Sequence, residues 1–237
     1  MTATPRPSDD IRSVRIRTAG VTLDGDLTVP AGAAGVVLFA HGSGSSRLSP
    51  RNRRVAGQLQ QAGFATLLFD LLTSQEEAAD AVSGQLRFDI PLLAERLAGA
   101  TDWLGSEAAV RSLPIGYFGA STGAAAALVA AALRPRVVHA VVSRGGRPDL
   151  GSPYLQRVKA PTLLIVGGYD TPVIAMNRAA LAQLHVEKEL MIVPGATHLF
   201  EEPGALDRVA ELAIGWFRRH LAAEAYAAAG EGGRGPV

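Results

Sequence analysis

One short run, residues 114–128, constrains the fold of this chain more than any other stretch. Its apolar start, residues 115–118, is typical of a buried strand, and its alanine-rich end has high helix propensity. Between them, residues 119–123 have the pattern G-x-S-x-G with Ser121 at the centre. We therefore predict a strand, a sharp turn and a helix, with Ser121 held at the turn between two glycines that leave it room.

The same turn predicts a reactive side chain. It directs the hydroxyl of Ser121 out above the edge of the sheet, and the backbone N–H of Thr122 points to where a substrate oxyanion would form. A seryl hydroxyl is a weak nucleophile near neutral pH unless a base lies beside it. We therefore expect a histidine base and a carboxylate that orients the histidine.

Asp170 and His198 are the candidates for these two partners. Each follows an apolar segment, and the order Ser, Asp, His has spacings of 49 and 28 residues that leave room for the intervening strands and helices. Asp149 is an alternative acid because it lies after the preceding strand. Asp70 also ends a strand, but we interpret it as structural.

A second small-residue loop, residues 41–46, follows another apolar segment. The backbone N–H groups of such a loop can approach a ligand closely. Because it accompanies the Ser121 turn, we interpret it as the second half of an oxyanion hole, with Ser43 as the donor. His41 and Gly42 are candidate substrate contacts, although for His41 shaping the loop is the favoured interpretation.

Two arginines follow the strand predicted at residues 137–142. Arg144 has two open interpretations, recognition of a substrate carboxylate by its guanidinium fork or an ordinary loop position. For Arg147 we favour pairing with Asp149 or exposure to solvent.

The hydrophobic pattern of the whole chain predicts an α/β fold. A hairpin over residues 11–17 and 21–29, with Gly25 as a possible bulge, precedes six apolar strands. Those strands are predicted at residues 36–40, 64–69, 115–118, 137–142, 161–166 and 189–193, and helices at 51–62, 90–104, 122–133, 171–184 and 204–221. The alternation indicates a mostly parallel central sheet with helices on both faces and the antiparallel hairpin at one edge. Its ligands should bind outside the carboxyl ends of the strands.

Length and composition favour a single domain over residues 11–222, with residues 1–10 disordered and residues 223–237 a flexible tail. Charged residues make up 19% of the chain and the net charge is +1, so no nucleic-acid partner is expected. The absence of cysteine excludes disulfides, thiolate metal sites and a Cys nucleophile. Without an 18-residue apolar run or a secretory signal, we expect a cytoplasmic monomer or homodimer and no membrane partner.

Taken together, the motifs resemble those of the α/β-hydrolase superfamily. They are His41-Gly-Ser-Gly44, Gly119-Ala-Ser-Thr-Gly123, Gly168-Tyr-Asp170 and Gly195-Ala-Thr-His198. The short layout is similar to the dienelactone-hydrolase-like branch, and the resemblance covers about residues 12–221. It implies the α/β-hydrolase fold and hydrolysis of an ester. The namesake enzymes of the branch use a Cys nucleophile, so Ser121 makes a general serine esterase the safer inference.

Two connecting segments bear on the shape of the site. Residues 71–88 are polar, and we predict a solvated surface loop rather than a rim of the site. Residues 143–160 are too few for the helical cap that larger α/β hydrolases insert there. We therefore expect no large cap domain and a shallow, open site for small or extended esters.

The expected chemistry is acyl transfer in two steps, with a small ester or lactone as the partner and without metal or cofactor. Ser121 attacks the carbonyl, His198 takes its proton, Asp170 holds His198, and the N–H groups of Ser43 and Thr122 stabilise the oxyanion. An acyltransferase, thioesterase or amidase could use the same side chains, and a non-catalytic binding module could retain the fold. Product analysis and fluorophosphonate labelling distinguish these alternatives.

Overall fold

The computed structural model describes residues 11–221, so the predicted disordered start and flexible tail lie outside the described residues. The strands are β1 (Arg12–Thr18), β2 (Val21–Thr28), β3 (Val36–Ala40), β4 (Ala65–Phe69), β5 (Ile115–Ala120), β6 (Val138–Arg144), β7 (Thr162–Gly167) and β8 (Lys188–Val193). The helices are α1 (Pro50–Gln61), α2 (Ser74–Ser83), α3 (Ile90–Leu104), α4 (Thr122–Leu133), α5 (Thr171–Gln183) and α6 (Ala205–His220).

All eight strands form one sheet in the order β1-β2-β4-β3-β5-β6-β7-β8. The strands from β3 to β8 pair in parallel, and β2 pairs antiparallel with both β1 and β4. The predicted fold class is confirmed. Because β3 and β5 are central neighbours, the loops that leave their carboxyl ends meet at one edge of the sheet.

Helices cover both faces of this sheet. Helices α3, α4 and α5 pack on one face, and α1 and α6 pack on the other. Helix α4 is buried along its length except at Leu133, because its alanine side chains allow close approach to the strands. This helix begins directly after Ser121 and is therefore fixed against the core at the position where the chemistry is expected.

The proposed bulge at Gly25 is wrong. The register of β1, β2 and β4 is continuous through this residue, which pairs with Val14 on one side and Phe69 on the other. A Cβ atom at Gly25 would lie 3.1 Å from the Cβ atom of Phe69. The glycine therefore provides space between strands rather than an irregularity.

The prediction of a solvated loop at residues 71–88 is also wrong. Helix α2 and a short 3-10 helix (Leu86–Phe88) occupy this segment. The Asp80 carboxylate is buried and accepts hydrogen bonds from the N–H of Leu86 at 2.6 Å and from Nε of Arg87 at 2.5 Å. Polar side-chain contacts hold this segment in place, so its sequence has no apolar periodicity from which a helix could be predicted.

No large cap covers the carboxyl edge in the described part of the chain. Between β6 and β7 the chain forms only a 3-10 helix (Pro148–Arg157). None of the helices in residues 11–221 has the length and apolar character needed to cross a membrane.

Candidate active site

Ser121 lies in a strained turn between β5 and α4. Its φ is 52° and its ψ is −120°, a conformation that side-chain-bearing residues rarely adopt. The Ser121 N–H donates to the carbonyl of Arg144 at 3.2 Å, and the N–H of Arg147 donates to the carbonyl of Ser121 at 3.1 Å. The end of β6 and the loop after it therefore hold the strained backbone from both sides.

The two flanking glycines are required by close packing. A Cβ atom at Gly119 would overlap the backbone of Ala124 in the first turn of α4. A Cβ atom at Gly123 would overlap the carbonyl oxygens of Ala40 and His41 at the end of β3. Because neither position has room for a side chain, the G-x-S-x-G pattern is explained by the packing of β3, β5 and α4.

His198 and Asp170 are brought into contact by the loops that follow β8 and β7. The distance between Nδ1 of His198 and Oδ2 of Asp170 is 2.6 Å. The alternative acid, Asp149, instead accepts a hydrogen bond from Nε of Arg147 at 2.9 Å, which is the pairing predicted for Arg147. Asp70 binds the backbone N–H of Arg47 at 2.7 Å and so has the structural position expected of it.

Ser121 and His198 line the same cavity, which we call the elbow cavity and which has a volume of about 270 Å³. Gly42, Ser43 and Arg144 line it as well. Among the described residues, no hydrogen bond joins the Ser121 hydroxyl to the imidazole of His198. Such contacts are often long in the absence of substrate and shorten when substrate binds.

The loop after β3 lies against the turn of Ser121. A Cβ atom at Gly42 would be 3.1 Å from the Cβ atom of Ser121, so only a glycine permits this approach. The backbone N–H groups of Ser43 and Thr122 donate to no acceptor in residues 11–221. An oxyanion hole requires two such donors close to a reactive hydroxyl.

Both ring nitrogens of His41 form hydrogen bonds with the backbone. The N–H of Leu71 donates to its Nε2 at 3.0 Å, so Nδ1 carries the proton and donates to the carbonyl of Gly42 at 3.0 Å. Burial lowers the pKa of this histidine and keeps it neutral. The structure therefore favours the loop-shaping interpretation of His41 over a direct substrate contact.

Arg144 is not an exposed loop residue. It belongs to β6, is buried, and lines the elbow cavity beside Ser121. Its guanidinium carbon lies 5.9 Å from the centre of the Phe200 ring. Burial, with a smaller contribution from the charge of Arg51, lowers the pKa of Arg144 to about 10, so it remains protonated at neutral pH.

Comparison with known proteins agrees with this geometry. A model of the dienelactone hydrolase family matches residues 23–225. The chain belongs to the dienelactone hydrolase family. A crystal structure of dienelactone hydrolase from Anabaena variabilis has 63% sequence identity and a TM-score of 0.88, covering 90% of this chain and 98% of that one. A dienelactone-hydrolase-like promiscuous phosphotriesterase from metagenomic libraries has 17% identity and a TM-score of 0.73, over 90% of this chain and 98% of that one, and shares the fold.

Two relatives from strains of Mycobacterium tuberculosis are each 59% identical over 209 residues. Both bear the name "Putative phosphoribosyl transferase". The match covers 88% of this dienelactone hydrolase family member but 46% of each relative, so the chain spans about half their length. Their name describes the whole relative and assigns no activity to the matched half.

Four residues that line the elbow cavity of this family member were not predicted from the sequence: Ser49, Arg51, Asn52 and Leu199. Of these, Arg51 and Asn52 lie in the first turn of α1. Their sequence surroundings carry no motif, and only the packing of α1 against the sheet brings them to Ser121.

A second cavity, of about 310 Å³, is also lined by the loop at residues 42–45. We call it the α2 cavity, because α2 forms one of its walls. Its apolar lining comes from Leu71, Leu72, Ala81 and Leu93. A sequence signal for α2 did exist: Thr73 and Glu76 form a reciprocal capping box, with hydrogen bonds of 3.2 and 2.7 Å. Two cavities therefore adjoin the loop at residues 42–45 of this dienelactone hydrolase family member.

Proposed function

We propose that this chain is a serine-dependent hydrolase that cleaves small carboxylic esters, lactones included, through an acyl-enzyme intermediate. One observation carries the proposal: the strained Ser121 shares a cavity with His198, whose Nδ1 lies 2.6 Å from Asp170. Membership of the dienelactone hydrolase family supports hydrolase chemistry on this fold.

In the first step, the hydroxyl of Ser121 attacks the ester carbonyl while Nε2 of His198 takes its proton. This requires Nδ1 of His198 to carry a proton and to donate it in a hydrogen bond to Asp170, which fixes the ring and stabilises the imidazolium. The N–H groups of Ser43 and Thr122 bind the oxyanion of the tetrahedral intermediate. The alcohol then leaves with the proton from His198.

In the second step, water releases the acyl group. His198 takes a proton from a water molecule while that water attacks the acyl carbonyl. His198 then donates the proton to the departing oxygen of Ser121. The same oxyanion donors act again. All of these groups lie at the carboxyl edge of β3, β5, β7 and β8, where the sheet holds them in fixed relative positions.

The dimensions of the two cavities favour short substrates. Volumes of about 270 and 310 Å³ suit small acyl and alcohol groups. We expect esters of C2 to C4 acids to be cleaved faster than those of C12 acids in a p-nitrophenyl ester series. Much faster turnover of the C12 ester would contradict a short-substrate site.

Covalent labelling tests the proposed nucleophile. A fluorophosphonate probe should label the wild-type chain, and Ser121→Ala should abolish labelling and lower kcat by several orders of magnitude. The control Ser106→Ala removes an exposed hydroxyl that lines neither cavity and should leave labelling intact. Labelling that survives in Ser121→Ala, or near wild-type turnover by that variant, would refute the assignment.

Product analysis separates hydrolysis from transfer. With the same ester in water and in water containing methanol, a hydrolase releases mainly the free acid. Predominant formation of the methyl ester would favour an acyltransferase instead. Parallel assays with thioesters and amides identify a thioesterase or an amidase.

A further inference from the structure

The α2 cavity reaches the groups that would bind the oxyanion. Ser43 and Thr122, whose backbone N–H groups are the proposed oxyanion donors, both line it. An ester whose carbonyl lies between these donors would therefore extend one of its two arms into the α2 cavity. The lining of this cavity then selects the arm that the site accepts.

The charged side chains of the α2 cavity leave one negative charge without compensation. Three charged side chains line it, namely Glu77, Asp80 and Arg87. Arg87 donates from Nε to Oδ2 of Asp80 at 2.5 Å and from Nη2 to the carbonyl of Asp80 at 2.8 Å, so these two charges cancel. His41 also lines the cavity, but burial lowers its pKa and keeps it neutral. The remaining charge is the carboxylate of Glu77, which forms no ion pair with any residue between 11 and 221.

Glu77 faces the α2 cavity from the middle of its helix. Glu77, Asp80 and Ala81 are three and four residues apart, so they lie on one side of α2, and all three line the cavity. Glu77 is also exposed to solvent, which places it at the mouth of the cavity. Partial burial of its carboxylate, with repulsion from Asp70 and Asp80, raises the pKa of Glu77 against the opposing charge of Arg47. A cation beside Glu77 would favour its charged form and would gain binding energy by doing so.

The hydroxyl of Thr122 is a second, independent feature of the same cavity. Thr122 is 3% exposed, and its Oγ1 is buried without a hydrogen-bond partner in the described part of the chain. A buried hydroxyl that lacks a partner costs free energy. A ligand that brings a hydrogen-bond donor into the α2 cavity would recover this cost.

Apolar side chains form the remainder of the lining and indicate the body of the ligand. They belong to Leu71, Leu72, Ala81 and Leu93. An arm that fits this cavity therefore combines a short hydrocarbon chain with a positively charged group that carries an N–H. A protonated amine has both properties, since its charge complements a carboxylate and its N–H can donate to a hydroxyl.

We propose that the α2 cavity binds a protonated amine on one arm of the ester substrate, with Glu77 supplying the opposite charge and Thr122 a hydrogen-bond acceptor. The substrates are then short esters of amino alcohols or of amino acids. This inference rests on the proposed function above and adds the substrate class to it. Because the cavity adjoins the oxyanion donors, binding of the amine there would position the ester carbonyl for attack.

Two matched pairs of esters test the proposal and locate the amine. Dimethylaminoethyl acetate and isopentyl acetate have nearly the same shape and differ by an amine on the alcohol side. Methyl 4-(dimethylamino)butanoate and methyl 5-methylhexanoate differ in the same way on the acyl side. Each kcat/KM, measured near neutral pH, is divided by the uncatalysed rate of hydrolysis of that ester. In at least one pair the cationic ester should have the higher corrected value, and no such preference in either pair would overturn the inference.

The variant Glu77→Gln should lower the cationic-to-neutral ratio of kcat/KM by about 3- to 10-fold, because it removes one charge at an exposed position and changes the shape little. Thr122→Val keeps the backbone N–H but removes the hydroxyl, and it should also lower the ratio. The matched control is Glu95→Gln, which changes an exposed carboxylate of α3 that lines neither cavity, and its ratio should equal that of wild type. An unchanged ratio in Glu77→Gln, or an equal fall in Glu95→Gln, would overturn the inference.

Salt and binding measurements separate recognition of charge from a structural role. Added salt should lower the ratio of wild type toward that of Glu77→Gln, since ions screen charges at an exposed site. The Tm of Glu77→Gln should equal that of wild type, and a lower Tm with a ratio that does not respond to salt would overturn the inference. Calorimetry with Ser121→Ala should show tighter binding of the preferred cationic ester than of its neutral partner. That preference is measurable without turnover, so its failure is distinguishable from failure of the proposed hydrolysis.

Discussion

The elbow cavity and the α2 cavity flank the same loop but are built by different means. Around Ser121 the backbone is held by backbone hydrogen bonds and by glycines that have no space for a side chain. The wall formed by α2 depends on side chains, with Asp80 bound to Arg87 and Glu76 bound to Arg96 at 2.9 Å. The sheet fixes the elbow cavity, whereas ion pairs fix the wall of the α2 cavity.

Under the proposed function, this difference would separate the chemistry from the selection of substrate. Acyl transfer needs atoms placed within a fraction of an ångström, and a central sheet with its tightly packed first helix provides that precision. A wall held by a few polar contacts opens at a lower cost in free energy. We therefore expect changes in the elbow cavity to act on kcat and changes in α2 to act on KM.

The largest effect is expected for Asp170→Asn. The loss of the carboxylate should lower kcat by about 10³- to 10⁴-fold for every ester tested, because His198 is then neither oriented nor stabilised as the imidazolium. Asp149→Asn changes the alternative acid, which pairs with Arg147, and should behave as wild type. Reversal of these two results would make Asp149 the functional acid.

A smaller effect is expected for Asp80→Asn, which weakens the contacts that hold α2. KM for esters with a larger apolar group should rise by about 3- to 10-fold, more than kcat falls. Limited proteolysis should cut residues 71–88 faster than in wild type. Asp102→Asn, which disrupts an exposed pair with Arg134, is the control and should leave both measurements unchanged. Equal effects of the two variants would contradict the role given to Asp80.

A low pH should weaken the contacts that hold α2 in the same way as Asp80→Asn. Burial alone would raise the pKa of Asp80, but hydrogen bonds from Arg87 and Leu86 outweigh it and hold the pKa below the usual 3.8. Because the folded-state pKa lies below the unfolded-state value, this stabilisation is present above pH 3.8 and is lost as the pH falls through the folded-state pKa. Pepsin should therefore cut residues 71–88 faster at the lowest pH, and Asp80→Asn should remove that added dependence.

The smallest effect concerns backbone strain at Ser121. Ser121→Gly and Ser121→Ala both remove the hydroxyl, but only glycine adopts a φ of 52° without a steric penalty. Ser121→Gly should be the more stable by about 1 kcal/mol, or about 2–4 °C in Tm. Thermal denaturation of the two variants measures the difference, and equal stability would mean that the turn stores no strain.

The turn at Ser121 was predictable because residues that are neighbours in the sequence determine it. Gly119, Ser121 and Gly123 fix the turn, and an apolar segment and an alanine-rich segment identify the strand and the helix. Asp170 and His198 were predictable because each follows a strand whose carboxyl end must reach the same edge. Helix α2 was missed because it has no apolar stripe, and its Val82 is 93% exposed. The capping box at its start was the available signal.

The sequence by itself determined the order of the strands and of the helices other than α2, the strained turn at Ser121 and the residues able to serve as base and acid. Only the tertiary structure decided that Arg144 is buried without a hydrogen-bond partner in residues 11–221 and that it lines one cavity together with Arg51 and Asn52. Backbone constraints act between neighbours along the chain and can be seen in a motif. Whether a charge is compensated depends on residues far apart in sequence, and only the packing of α1 against the sheet brings these together.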